Sequence, residues 1–133
     1  MREILFRGKR IDKNQWVYGS YCYAELLNKS GYEHLIIEQS AEGKSHNVVV
    51  ESVGQYTGLK DKNGKRIFEG DILRLAYHPE KDVIIEWHDA RFMFRKRNKP
   101  KDNGYERLCC VQNTVDHLKV IGNIHDNPEL LEV

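Results

Sequence analysis

The sequence predicts a mainly β protein, with an N-terminal β-meander packed on a C-terminal, five-stranded SH3-like barrel. Short apolar stretches alternate with turn residues about every ten positions, a spacing typical of meanders and barrels. An Asn-Gly pair at residues 63–64 is a strong hairpin signal. Long amphipathic helical patterns are absent from the sequence. We therefore expect one compact unit over residues 1–133, with lobes at residues 1–54 and 55–133.

The N-terminal lobe is predicted to contain four strands. Aromatic and β-branched residues favour strands, and the polar residues between them favour turns. The segment Asp12-Lys13-Asn14-Gln15 is predicted to be the turn between the first two strands. The four predicted strands cover residues 3–10, 16–23, 33–38 and 48–53.

The stretch GQYTGLKDKNGKRIFEGDIL, residues 54–73, contains four glycines and could be either a ligand-binding loop or a folded hairpin. A two-residue type I′ turn at Asn63-Gly64 would pair Asp61 with Arg66 and would need positive φ at both turn residues. A phosphate-binding loop places its glycines at the start of a helix, and no helical pattern follows Gly70. We therefore predict that the glycines serve turn geometry.

The C-terminal lobe is predicted to hold the five strands of the barrel. A turn at His88-Asp89-Ala90-Arg91 joins two of them. Pro128 follows Asn127, a good helix cap, and favours one helical turn over residues 128–131. The five predicted strands cover residues 72–77, 83–88, 92–96, 107–111 and 118–124.

Composition favours a globular, cytoplasmic protein. Apolar residues make up 40% of the 133 residues and the net charge is +1, so no global field directs the chain to nucleic acid or membrane. The sequence has no apolar run of the roughly 20 residues that a membrane helix needs, and no secretory signal. Three cysteines give no even disulfide framework, which agrees with the cytoplasm.

Three blocks of this sequence resemble the YopX family, a group of small proteins carried by bacteriophages and prophages. The blocks are MREILFRGKRIDKNQWVYG, VGQYTGLKDKNGKRIFEGDIL and VIGNIHDNPELL, in the order that the family has them. The resemblance implies a phage-encoded, β-rich protein of the bacterial host cytoplasm, and it supplies no catalytic motif. The chain departs from the family pattern in two loops, at Asn14-Gln15 and at residues 50–52.

A basic segment is the sharpest functional feature of the sequence. Residues 91–101, RFMFRKRNKPK, hold six basic residues and no acidic one. Together with Phe92, Phe94 and nearby Trp87, this composition suits single-stranded nucleic acid, because cations contact phosphates and rings stack on bases. Alternatively the segment is a solvated loop tip and the rings belong to the core. The candidate nucleic-acid-binding residues are Arg91, Arg95, Lys96, Arg97, Lys99 and Lys101.

A cysteine hydrolase is the less favoured alternative. Cys109 and Cys110 precede Asp116 and His117, and a thiolate nucleophile needs an imidazole within hydrogen-bond reach. No recognised motif surrounds the cysteine pair. The six histidines are scattered without metal-ligand spacing, so we predict no metal, no cofactor and no catalytic residues.

The second strand is unusually aromatic. Trp16 and Tyr18 fall on one of its faces, and Tyr21 and Tyr23 on the other. One set is therefore expected to contact a neighbouring lobe or another subunit, so a homo-oligomer is an open alternative. From these features we predict a non-enzymatic accessory module that binds a host or phage macromolecule.

Overall fold

The computed structural model describes residues 3–25, 32–75, 78–88, 90–96, 105–107, 114–115 and 117–131, and within these ranges the protein is mainly β, as predicted. The chain divides into two units, Met1–Tyr56 and Thr57–Val133. The strands are β1 Phe6–Lys9, β2 Trp16–Glu25, β3 Tyr32–Ile37, β4 Ser45–Asn47, β5 Gly54–Asp61, β6 Arg66–Phe68, β7 Asp71–Leu75, β8 His78–His88, β9 Arg91–Lys96, β10 Tyr105–Arg107, β11 Thr114–Val115 and β12 Leu118–Asn123.

The first unit is built on an antiparallel sheet with the strand order β5-β1-β2-β3-β4. Its core consists of Val17, Ile36 and Val48, with Phe6 and Tyr21 packed against them. The predicted turn between β1 and β2 is confirmed, since Arg10 N–H donates to the carbonyl of Gln15 at 2.8 Å.

One predicted strand of the first unit is wrong. Residues 48–53 were expected to be extended, but Val50–Ser52 form a 3₁₀ helix. The hydroxyl of Ser52 donates to the carbonyl of Val49 at 2.6 Å and accepts the N–H of Lys9 at 2.8 Å. Such local side-chain bonds offer the backbone an alternative to a strand ladder.

The second unit contains an antiparallel sheet with the strand order β10-β9-β8-β7-β12. Four of these strands, β7, β8, β9 and β12, match strands predicted for the barrel, whereas the predicted strand at residues 107–111 lies outside the described residues except for Arg107 at the end of β10. Within the described ranges the two end strands β10 and β12 do not pair with each other. The sheet is therefore not closed, and the SH3-like barrel is not confirmed. The core of this unit comprises Ile67, Leu73, Val83, Ile85, Leu118 and Val120.

The hairpin between β5 and β6 is present, but its loop differs from the predicted one. Gly64 has φ +82°, whereas Asn63 does not have positive φ, so the turn is not type I′. Asp61 N–H donates to the carbonyl of Lys65 at 2.8 Å, and Gly64 N–H donates to the carbonyl of Asp61 at 3.0 Å. These bonds define a three-residue loop with a left-handed glycine at its end.

The prediction that the four glycines of residues 54–73 serve turn geometry is confirmed at Gly64 and Gly70, which lie in turns and have φ of +82° and +90°. Gly58 also has a positive φ, +87°, but it lies within strand β5, as does Gly54. At Gly70 the turn is also fixed from both sides, because its N–H donates to the carbonyl of Ile85 at 2.7 Å and its carbonyl accepts the N–H of Ile124 at 2.9 Å. This turn leads directly into β7.

Two asparagine side chains stabilise the turn between β12 and the C-terminal 3₁₀ helix. The side-chain oxygen of Asn123 accepts the N–H groups of His125 and Asp126, each at 2.9 Å. The side-chain oxygen of Asn127 accepts the N–H of Asn123 at 3.2 Å. A 3₁₀ helix, Pro128–Leu131, follows Asn127, which confirms the predicted helical turn.

Candidate functional site

The candidate site lies at the turn between β8 and β9. His88 pairs with Arg91, and the register continues to Val83 opposite Lys96. Ala90 has φ +61°, the left-handed conformation that a tight reversal requires. The predicted turn at residues 88–91 is therefore confirmed.

Two aromatic rings extend the core face of this hairpin to the surface. Ile85 is fully buried and Phe94 packs against the core of the second unit. Farther along the same face, Trp87 pairs with Phe92, and their rings meet edge to face with centroids 4.8 Å apart at 75°. Trp87 is 54% exposed. The aromatic residues of the segment are thus divided, with Phe94 in the core and Trp87 on the surface.

The basic residues of the segment are not equivalent. Arg95 donates to the Oε1 of Glu86 at 2.7 and 3.1 Å, and both side chains are largely buried. The charge of Arg95 is therefore balanced by a carboxylate, which the sequence interpretation did not anticipate. Arg91 and Lys96 are exposed at the two ends of β9. Arg97, Lys99 and Lys101 lie outside the described residues, and the nucleic-acid site stays a prediction.

The residues of the hydrolase alternative are mostly outside the described part of the chain. Cys109, Cys110 and Asp116 are not among the described residues, while His117 is exposed just before β12. Cys22 is a half-buried free thiol in β2. Among the described residues, no group of three or more His, Cys, Asp or Glu side chains could hold a metal ion.

The aromatic strand β2 places its rings on two sides of the first unit. Tyr21 packs on the core, and its hydroxyl lies 2.5 Å from Nδ1 of His34. Tyr23, on the same side, stacks on His34 with ring centroids 4.6 Å apart and is 57% exposed. On the opposite side, Tyr18 is 46% exposed and Trp16 lies 4.6 Å from the guanidinium carbon of Arg7.

Three buried acids of the second unit act as structural anchors. The carboxylate of Asp61 accepts three backbone N–H groups, at Asn63, Lys65 and Val120. Asp71 accepts the N–H of Phe68 at 2.7 Å, and Asp82 binds the guanidinium of Arg74 through two hydrogen bonds of 2.8 Å. Asp61 stands directly before a turn and Asp71 directly after a glycine, and these positions were the available sequence signals for the two residues.

These observations define a small protein of two antiparallel β units. The described turn residues and buried aspartates of its sequence blocks are largely engaged in turns and buried hydrogen bonds. The model of the YopX protein family matches residues 5–132, so the chain belongs to the YopX family. It is similar to a solved structure, the crystal structure of protein EF1440 from Enterococcus faecalis, with 28% sequence identity and a TM-score of 0.54. That similarity covers 99% of this chain and 100% of the other.

The comparison with curated proteins found no match. In the described ranges, none of the helices has the length and apolar character needed to cross a bilayer.

Proposed function

We propose that this protein is a non-enzymatic accessory module, encoded by a phage or prophage, that binds a macromolecule in the bacterial cytoplasm. The observation that carries the proposal is the exposed Trp87 at the end of the β8–β9 hairpin. A large aromatic side chain that is 54% exposed leaves apolar surface in water, and contact with a partner would remove it.

The setting of Trp87 suits a binding residue. Its ring is held edge to face by Phe92, so little side-chain freedom remains to be lost on binding. Arg91, at the start of β9, is also exposed, and since it pairs with His88 its side chain lies on the other face of the hairpin. Tryptophan and arginine are the residue types most enriched among the side chains that dominate binding energy.

The engagement of the buried carboxylates supports a module without catalytic chemistry. Asp61, Asp71 and Asp82 are bound to backbone N–H groups or to Arg74.

The strand order of the second unit supports a role in recognition. Strand β12 lies beside β7, so the last strand of the five neighbours the first. That order supports an SH3-like arrangement of the second unit, a fold that presents its loops for recognition; this last step is an analogy between folds.

Affinity capture with a matched pair of variants tests the proposal. We expect the immobilised protein to retain a specific partner from a lysate of phage-infected Gram-positive bacteria, and Trp87→Ala to lose at least about tenfold of the recovery. Tyr23→Ala removes a similarly exposed ring from the other unit and should retain the partner. Equal recovery with Trp87→Ala and Tyr23→Ala, or no specific partner, would contradict the proposal. Nuclease treatment of the captured material distinguishes a nucleic acid from a protein.

Single-stranded nucleic acid is the second candidate partner. Trp87 offers a stacking surface, and exposed positive charge comes from Lys96 on the same face of the hairpin and from Arg91 on the other face. Stacking of bases on aromatic side chains combined with phosphate contacts is the usual mode of binding single strands. The ion pair between Glu86 and Arg95 reduces the positive charge that the segment offers.

Fluorescence anisotropy with labelled oligonucleotides tests this candidate. We expect binding that weakens steeply with salt, and the double variant Arg91→Gln/Lys96→Gln should reduce the logarithmic salt slope by about 2. Arg95 is left intact because it is paired with Glu86. The control Lys62→Gln/Lys65→Gln also removes two exposed charges, at the β5–β6 loop, and should leave the slope unchanged. Flat anisotropy at low salt would exclude this partner.

A further inference from the structure

The side of the first unit opposite its core carries an apolar surface. Val17, Tyr21 and Ile36 point to the core, so the alternation of strands directs their neighbours Tyr18, Cys22 and Leu35 to the other side. Ile37, Trp16 and these three residues form what we call the outer face. Tyr18 is 46% exposed and the other four are partly exposed. Arg7, opposite Tyr18, and Ser20, between Tyr18 and Cys22, lie on the same side; Arg7 is buried and Ser20 is exposed, so the face is mainly rather than wholly apolar. A mainly apolar sheet face is typical of a binding surface.

The outer face has opposite charges at its two ends. Lys9 pairs with Trp16 at the start of β2, and its ammonium lies 5.6 Å from the indole ring. Glu33 pairs with Ala24 near the end of the same strand. Since strands rise about 3.3 Å per residue, roughly 26 Å separate these two ends. Lys9 and Glu33 therefore do not pair within one chain.

We propose that the outer face binds the outer face of a second copy of this chain around a twofold axis. A twofold interface brings the same patch of both subunits together, so a patch with a basic end and an acidic end complements itself when one copy is reversed. The axis passes near the middle of β2, which sets Lys9 of one copy against Glu33 of the other. Tyr and Trp are enriched in the cores of interfaces, and two apolar sheet faces pack about 10 Å apart.

The expected dimer is weak. The five apolar side chains of the outer face offer less area than the ~800 Å² per partner of a standard interface, so the dimer belongs to the transient class. The net charge of +1 adds no strong repulsion between copies. Assembly through this face is independent of the proposed binding role of Trp87, which belongs to the second unit.

Sedimentation equilibrium tests the proposal on the full chain. We expect reversible association of the 15.6 kDa species into a dimer as concentration rises to about 500 μM, and Tyr18→Glu should raise the dissociation constant at least about tenfold. Tyr23→Glu places the same charge on the same strand, but on the other side and at a position 57% exposed, and should leave the dissociation constant unchanged. Thermal unfolding of both variants verifies that they are folded.

A charge exchange tests the register of the interface. Lys9→Glu and Glu33→Lys should each weaken the dimer about threefold to tenfold, because each creates a like-charge contact. The double variant Lys9→Glu/Glu33→Lys should restore the original dissociation constant, since the pair is re-formed between copies. A single 15.6 kDa species at every concentration would overturn the proposal. Equal effects of the two tyrosine variants, or no rescue in the double charge variant, would also overturn it.

Discussion

Replacing Asp61 with alanine is expected to destabilise the protein by about 4 kcal/mol, because three backbone donors lose a charged acceptor. Asp61 is only 1% exposed. One carboxylate oxygen accepts the N–H groups of Asn63 and Lys65, and the other accepts that of Val120, each at 2.9 Å. The donors at Asn63 and Lys65 can reach water in the variant, whereas Val120 is buried and its N–H cannot. Urea unfolding monitored by circular dichroism measures the loss.

An asparagine at the same position separates charge from shape. In Asp61→Asn, the amide oxygen can still accept from the β5–β6 loop, but the amide NH₂ then faces the N–H of Val120, and two donors oppose each other. We expect a loss of about 2 kcal/mol, intermediate between wild type and alanine. Asp12→Asn, at an exposed aspartate in the first unit, should leave the unfolding midpoint unchanged. Equal stability of Asp61→Ala and wild type would show that the carboxylate does not hold the loop.

The hairpin anchored by Asp61 shows how far local sequence could predict the fold. The Asn63-Gly64 pair located the turn correctly, because only a left-handed residue such as Gly64 closes so short a loop. The loop length was wrong, because it depends on the carboxylate of Asp61. That carboxylate also binds Val120, 59 residues away in sequence, so its position is set by tertiary structure. Contacts of this separation leave no local pattern.

The candidate site was likewise predicted in its local turn but not in its tertiary contacts. The tight turn at residues 88–91 followed from the sequence, and with it the pairing of Trp87 with Phe92. The balance of charge did not follow, because the contact of Arg95 with Glu86 depends on which side chains share a face after the register is fixed. Counting charges along the chain therefore overstated the positive charge of the described part of this segment.

Removing the guanidinium of Arg74 is expected to produce the second large loss, about 3 kcal/mol in Arg74→Met. Asp82 is fully buried, and Arg74 binds both of its oxygens at 2.8 Å from the neighbouring strand β7. Without the guanidinium, the buried carboxylate loses its cationic partner in a poorly solvated place. The loss lies at the lower end for buried pairs because the Arg74 side chain is 32% exposed and partly screened by water. Urea unfolding at pH 7 measures it.

The hydrogen bonds to Asp82 raise the pKa of Arg74 above its ordinary value. A cation with a raised pKa stabilises the fold fully below its unfolded pKa, and the contribution is lost only as pH rises through the folded pKa. The arginine contribution should therefore be constant from about pH 6 to 9, far below the usual arginine pKa.

A double variant distinguishes loss of the ion pair from loss of packing. In Arg74→Met/Asp82→Leu both charges are gone and apolar side chains of similar size replace them, so we expect most of the ~3 kcal/mol to be recovered. Arg10→Met is the matched control, because Arg10 binds Asp12 with the same two-bond geometry at an exposed turn. Its unfolding midpoint should not change, since water replaces the exposed partner. If Arg10→Met and Arg74→Met were equally destabilised, burial of Asp82 would not be the cause of the effect.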